Sequence, residues 1–222
     1  MTTVKPFSFA MLIRSILRLF FRCLYHPLAF SYDWVAAAVS LGHWNEWGRA
    51  ALDHLHGPRL LELGHGPGHL QPVLRELGFW TAGLDESAQM SRMAARRLRS
   101  NGFAEVRLVR SMAQAIPFAA ESFDSIVSVF PSEYIFDAAT LGEARRVLVP
   151  GGRLVVLPAA WPANRLLGWL FQITRQAPPL TLDIITERFR QPLMHAGFQV
   201  QVETRALQSG VVLMGVATKE SH

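Results

Sequence analysis

From residue 58 onward, short apolar runs alternate with stretches of helical periodicity. The runs at 60–63, 79–84, 106–109, 125–130 and 153–157 have the length and composition of strands. Helical patterns fill about 67–77, 86–100 and 138–148, and Gly78, Asn101-Gly102 and Pro150-Gly151-Gly152 stop them. Such alternation predicts βαβ units and a parallel sheet. The rhythm then changes. A helix is expected over 186–196 with Gly197 behind it, followed by strand runs at 198–207 and 211–218. Gln208-Ser209-Gly210 is too short for a parallel crossover, so this pair is expected to form an antiparallel hairpin.

The first 57 residues follow another pattern. Residues 7–26 are mainly apolar, and Arg14, Arg18 and Arg22 recur in them at a four-residue spacing that makes one basic stripe on a helix. Three central charges argue against a transmembrane span, and no small-residue cleavage site follows. The segment reads as a lid helix or as an interfacial helix on an anionic membrane, with an organellar transit peptide third. A second helical stretch covers 32–55, bent at Gly42, with Trp44 and Trp47 spaced for core packing. Residues 1–57 therefore form a helical cap, and 58–222 form the main domain. An apolar insertion at about 159–180, rich in Leu, Trp and Phe, interrupts that domain.

Composition narrows the chemistry. Of the 222 residues, 50% are hydrophobic, enough for one full core, and the net charge is +5. Part of that excess lies on Arg92, Arg96, Arg97 and Arg99, read as a solvated helix face. No nucleic-acid module accompanies it, so nucleic acid is not an expected partner. Cys23 is the single cysteine, so no intrachain disulfide is possible, and no Cys/His cluster has metal-ligand spacing.

The densest chemical signal is Leu60-Leu-Glu-Leu-Gly-His-Gly-Pro-Gly-His-Leu70. Strand, glycine turn and helix follow one another there, with Gly64, Gly66 and Gly68 at alternate positions and Glu62 two residues ahead. Glycines allow positive φ and a close ligand approach. His69 stands where a dinucleotide loop would carry its third glycine, and no Lys-Ser/Thr follows as in a phosphate-binding loop. The next strand ends at Asp85, 17 residues beyond Gly68. Its carboxylate can accept bonds from two vicinal hydroxyls, and a helix N-cap is the alternative role.

These residues resemble the first two motifs of class I S-adenosylmethionine (SAM) methyltransferases. Ser111 to Phe118 with the following Phe123-Asp124, and Glu143-Ala-Arg-Arg-Val-Leu-Val-Pro-Gly-Gly152, are similar to two further motifs, in the family's order. The likeness is greatest to the branch holding ubiquinone/menaquinone C-methyltransferases. It implies an α/β, Rossmann-like class I methyltransferase fold: a seven-stranded, mostly parallel sheet in the order 3-2-1-4-5-7-6, with an antiparallel C-terminal hairpin and helices on both faces. It also implies SAM as cofactor and S-adenosylhomocysteine (SAH) as product.

On that resemblance the cofactor-binding candidates are Glu62, Gly64, His65, Gly66, Gly68, Asp85, Glu86, Met90, Met112, Ala113, Phe130 and Tyr32. Ser87 and Met90 are candidates to pack on adenine. Met112 departs from the family, which commonly carries an acid there that bonds the adenine amino group. Glu133, Tyr134 and His65 are weak catalytic candidates, each with an ordinary packing or surface role as its alternative. No metal is expected. The acceptor is expected to be a small, apolar molecule, quinone-like or a lipid, met in the cytoplasm or at a membrane surface. Two rivals stand beside this reading: an NAD-type oxidoreductase, disfavoured by His69, and a non-catalytic SAM/SAH-binding regulator or scaffold.

Overall fold

A computed structural model describes residues 43–162 and 178–220. The expected helix at 7–26, Tyr32, Gly42 and most of the apolar insertion lie outside the described residues. Seven strands form one sheet in the order β3-β2-β1-β4-β5-β7-β6. They are β1 (Arg59–Leu63), β2 (Trp80–Asp85), β3 (Leu108–Arg110), β4 (Phe123–Val129), β5 (Leu148–Pro162), β6 (Phe198–Leu207) and β7 (Gly210–Lys219). β1 to β5 run parallel, while β7 is antiparallel to both β5 and β6. The hairpin expected from the short join is present, with Leu207 paired to Gly210.

Both sheet faces are covered, and the central strands show why their sequences are mainly apolar on both sides. Side chains of Leu61, Leu63, Ile126, Leu154 and Val156 enter one core. Their alternates Leu60, Val127, Val155 and Leu157 enter the other. The first core is closed by α4 (Ala138–Val147) and α5 (Pro178–His195) through Leu141, Ala144 and Phe189. Close to the second lie α1 (Trp44–Arg49), a 3-10 turn (Ala50–His54) and α2 (Leu70–Glu76), which contribute Trp47, Ala51 and Leu74. α3 (Ala88–Ser100) packs its Met90, Ala94 and Leu98 inward.

Four boundaries differ from those the sequence predicts. The helix expected from 67 begins at Leu70, because Gly66 and Gly68 hold positive φ of 53° and 78°, outside helical space. α4 ends at Val147, short of the expected stop at Pro150-Gly151-Gly152, because the chain is already in β5 from Leu148. The β4 partner shifts register between Phe123 and Ser125, which accommodates the interruption. β5 also runs past 157 to Pro162, because β7 is long enough to pair with it as far as Gly210. The start of the expected insertion is therefore strand. The last helix begins at Pro178, eight residues before the expected start at 186.

Residues 43–54, the described part of the N-terminal segment, are fixed to the β6–β7 hairpin. Trp47 is 3% exposed, and its Nε1 donates to Ser209 Oγ at 2.8 Å in the β6–β7 turn. Arg205 bonds Asp53, and His54 Nε2 lies 3.0 Å from Glu203. α1 is thus one wall of the region above the β1 and β4 C-termini.

Candidate active site

β1, β2 and β4 end together, and their C-terminal residues meet around the glycine loop. Gly64, with φ +73°, turns the chain off β1, and its N–H donates to Leu84 O at 2.8 Å. A Cβ on Gly64 would fall 2.2 Å from the Tyr134 hydroxyl. That hydroxyl donates to Leu63 O at 3.1 Å and lies 3.1 Å from Ser128 Oγ, which itself donates to Leu63 O at 2.7 Å. Tyr134 and Ser128 therefore secure the strand end from the β4 side. Gly66 differs: no atom lies within 4 Å of its would-be Cβ, so its bare backbone faces open space.

Asp85 ties the loop to β2. Its Oδ2 accepts from Gly66 N–H at 2.9 Å and its Oδ1 from Ser87 N–H at 2.8 Å. Each carboxylate oxygen keeps a lone pair beyond those bonds, so both remain able to accept from further hydroxyls. The N-cap of α3 is Ser87, whose hydroxyl accepts from Met90 N–H at 3.3 Å. Asp85 is left to face the cavity.

Two cavities adjoin the loop, and Gly64, Gly66 and Val129 line both. One, of about 320 Å³, is walled by Asp85, Met112, Ala113, Phe130 and Tyr134. The other, of about 260 Å³, is walled by Arg49, Glu62, His65 and, along α2, Leu70 and Val73. Phe130 caps the end of β4 with φ +49°, an unfavourable conformation for a bulky side chain; its N–H donates to Leu157 O at 2.7 Å. Its ring packs edge-on against Trp47 at 6.3 Å.

Beneath the loop runs a buried polar chain that the sequence reading did not identify beyond Glu62 and His65. Gln71 Nε2 donates to Glu62 Oε2 at 2.7 Å, and Arg75 Nε donates to Thr81 Oγ1 at 3.0 Å beside it. Burial pushes the Glu62 carboxyl up to about 8, against the lowering bond from Gln71, and Asp85 adds to the rise. His65 is 3% exposed; its Nδ1 lies 2.7 Å from Gly66 O and so carries the proton. Burial lowers its pKa and keeps the ring neutral.

Glu62 makes a pH prediction. Its folded pKa lies above the ordinary 4.5, so the native state holds a proton that the unfolded chain releases first. Stability should fall as pH rises from 4.5 to 8, by up to about 1.4 kcal/mol per unit from this group. Glu62→Gln can keep an oxygen toward Gln71 without ionising. Urea denaturation should show the variant gaining on the parent between pH 5 and pH 8. Parallel stability profiles would refute the assignment.

The other sequence-derived candidates fall as follows. Met112 is 57% exposed at the cavity rim, and Ala113 is buried in its wall. Glu86 and Ser87 line the same cavity, Glu86 on its exposed side. Met90 is 1% exposed and lines neither cavity, because it occupies the inward face of α3. Gly68 also lines neither; its would-be Cβ meets Ala94 of α3 at 2.5 Å, so it serves helix packing. Glu133 is exposed in a 3-10 turn and lines neither cavity. Tyr134 touches the loop from beneath, with its hydroxyl engaged by Leu63 and Ser128.

Comparison with known proteins agrees with this architecture. Residues 61–156 match the model of a methyltransferase domain. The chain is 33% identical over 156 residues to demethylmenaquinone methyltransferase of Thermus thermophilus, covering 68% of this chain and 70% of that one. It is 32% identical over 155 residues to the ubiquinone/menaquinone biosynthesis C-methyltransferase of Methylococcus capsulatus, covering 66% of this chain and 62% of that one. A SAM-dependent methyltransferase structure from Methanococcus maripaludis superposes with a TM-score of 0.60 at 18% identity, covering 87% of this chain and 92% of that one. One from Thermotoga maritima gives 0.59 at 21% identity over 90% of this chain and 99% of that one. None of these names a nicotinamide-dependent enzyme or a non-catalytic binder. The chain belongs to the SAM-dependent methyltransferase family, with the class I Rossmann-like fold and SAM as its cofactor.

Proposed function

We propose that this methyltransferase acts on a small, lipophilic, quinone-like ring. The observation that carries the reading is the 33% identity to demethylmenaquinone methyltransferase across 70% of that enzyme. The apolar Phe130 and Pro131 beside the loop suit such an acceptor. SAM supplies an electrophilic methyl on a sulfonium, and the protein's work is to bind, align and exclude water.

The residues fit this cofactor. Gly66 offers open space where a side chain would otherwise stand, Asp85 offers two outward acceptors, and Ala113 with Phe130 offers apolar walls. In this reading Asp85 takes the ribose hydroxyls and Gly64 to Gly66 pass beneath the amino-acid portion. Glu62 and His65 hold the loop's shape from below. Glu86, Ser87 and Met112 border the adenine. Gly68 and Met90 act indirectly, by seating α3 against the loop. Tyr32 belongs to the reading as a contact for the cofactor's carboxylate. Glu133, which lines neither cavity, is given no role in this reading, and no general base is assigned.

Incubation with methyl-labelled SAM and a demethylated naphthoquinol or benzoquinol should transfer label to the ring. Binding of SAH without transfer to any quinol would remove the acceptor and leave the cofactor. Among the described residues no helix is long and apolar enough to cross a membrane. We place the reaction in the cytoplasm, at the membrane surface, with residues 7–26 as the contact. Failure to co-sediment with anionic vesicles, or co-sedimentation unchanged after deletion of residues 1–24, would contradict that placement.

A further inference from the structure

The cofactor reading leaves the adenine amino group without a partner, because Met112 has no strong acceptor atom. The wall beside Met112 supplies one. Gln114 lines the same 320 Å³ cavity, and its Nε2 donates to Asp137 Oδ2 at 2.9 Å. An ionised carboxylate only accepts hydrogen bonds, so the amide must turn its NH₂ to Asp137 and offer its carbonyl oxygen elsewhere. That oxygen takes no hydrogen bond from any described residue. Asp137 is itself fixed, since its Oδ1 accepts from Ala139 N–H at 3.0 Å and caps α4. The Gln114 bond first, and the Ala139 bond second, hold its carboxyl below the usual range and keep it ionised.

The Ser111 hydroxyl donates to Ala115 O at 2.7 Å, which ties it to its own loop, and Glu86 is an exposed residue next to Asp85. Gln114 differs in having its amide oriented by an ionised carboxylate that is itself anchored by Ala139 N–H.

We infer that Gln114 Oε1 accepts the hydrogen bond from the exocyclic amino group of the cofactor's adenine. Asp137 is a positioning residue that decides which end of the amide faces the cavity. The pair replaces the acid that Met112 displaces. This rests on the cofactor reading above.

The test is calorimetric titration with SAH and with its 6-deamino purine analogue, which lacks the amino donor and keeps N1 as an acceptor. The parent should bind SAH at least about tenfold more tightly, the equivalent of one good hydrogen bond. Gln114→Met should weaken SAH about tenfold, leave the deamino ligand nearly unchanged, and bring the two within about twofold. Asp137→Ser keeps a cap oxygen for Ala139 but cannot reach Gln114, so it should lower the discrimination about threefold with Tm little changed. Full discrimination surviving in Gln114→Met would overturn the inference while leaving the cofactor reading intact. A parent that binds neither ligand overturns both.

Discussion

Gly68→Ala should lower the unfolding free energy by about 2–5 kcal/mol, whereas Gly66→Ala, two residues away, should leave stability far less affected and abolish tight cofactor binding. Both glycines hold positive φ, +53° at Gly66 and +78° at Gly68, so each alanine meets a left-handed strain of about 1–2 kcal/mol. Their surroundings differ. A Cβ on Gly68 would sit 2.5 Å from Ala94 Cβ and 2.8 Å from Ala94 Cα. Part of that obstacle is backbone, so α3 must move as a whole, and overpacking adds about 1–3 kcal/mol. A Cβ on Gly66 meets nothing within 4 Å, yet Gly66 lines both cavities beneath the proposed cofactor. The methyl group would occupy ligand space. Urea unfolding and SAH titration of the two variants separate these effects. Equal loss of stability in both, or unchanged SAH affinity in Gly66→Ala, would contradict the division of roles.

That division was only partly legible in the sequence. Alternate glycines announce a loop, but which glycine faces ligand and which faces a helix depends on where α3 crosses, a long-range contact. The fold itself was readable, because its evidence is local. Central strands buried on both faces must be mainly apolar, as Leu60–Leu63 apart from Glu62 and Ile126–Val127 are, and a join as short as Gln208-Ser209-Gly210 can only reverse the chain. β5 was read too short for the complementary reason. Its outer part is a strand because β7 extends to meet it, and Pro158 and Pro162 give no local hint of that pairing.

The position of Asp85 was readable as well, since it closes an apolar run at a fixed distance from the loop, and its carboxylate does meet the loop at Gly66 N–H. Met90 was misplaced by the same nearness in sequence. It lies five residues past Asp85, but helical periodicity turns it inward to 1% exposure. Gln71, Ser128 and Gln114 were missed because each is an ordinary polar residue until its partner is known. For Ser128 and Gln71 a weak signal existed, a polar side chain set into an otherwise apolar strand and helix face.

Asp85→Ala should have the largest effect on binding, weakening SAH by at least about a hundredfold. The carboxylate has three duties at once. It accepts the Gly66 N–H at 2.9 Å, holding the loop's open glycine in place, and the Ser87 N–H at 2.8 Å, holding the start of α3. In the proposed reading its remaining lone pairs take the two ribose hydroxyls. Hydrogen bonds to an ionised group contribute about 1.5–3 kcal/mol each, so loss of two to the ligand alone corresponds to about 10²–10⁴ in Kd. Asp85→Asn separates the duties. An amide keeps one oxygen to accept a backbone N–H, but its NH₂ cannot accept the other, so loop and ligand compete for a single acceptor. It should therefore bind SAH more tightly than the alanine variant and far more weakly than the parent. A 2′-deoxyribose analogue of SAH identifies the ribose contribution. The parent should prefer SAH over that analogue, and Asp85→Ala should bind the two alike. If the alanine variant keeps the parent's preference for the 2′-hydroxyl, the ribose lies elsewhere and Asp85 serves only the loop.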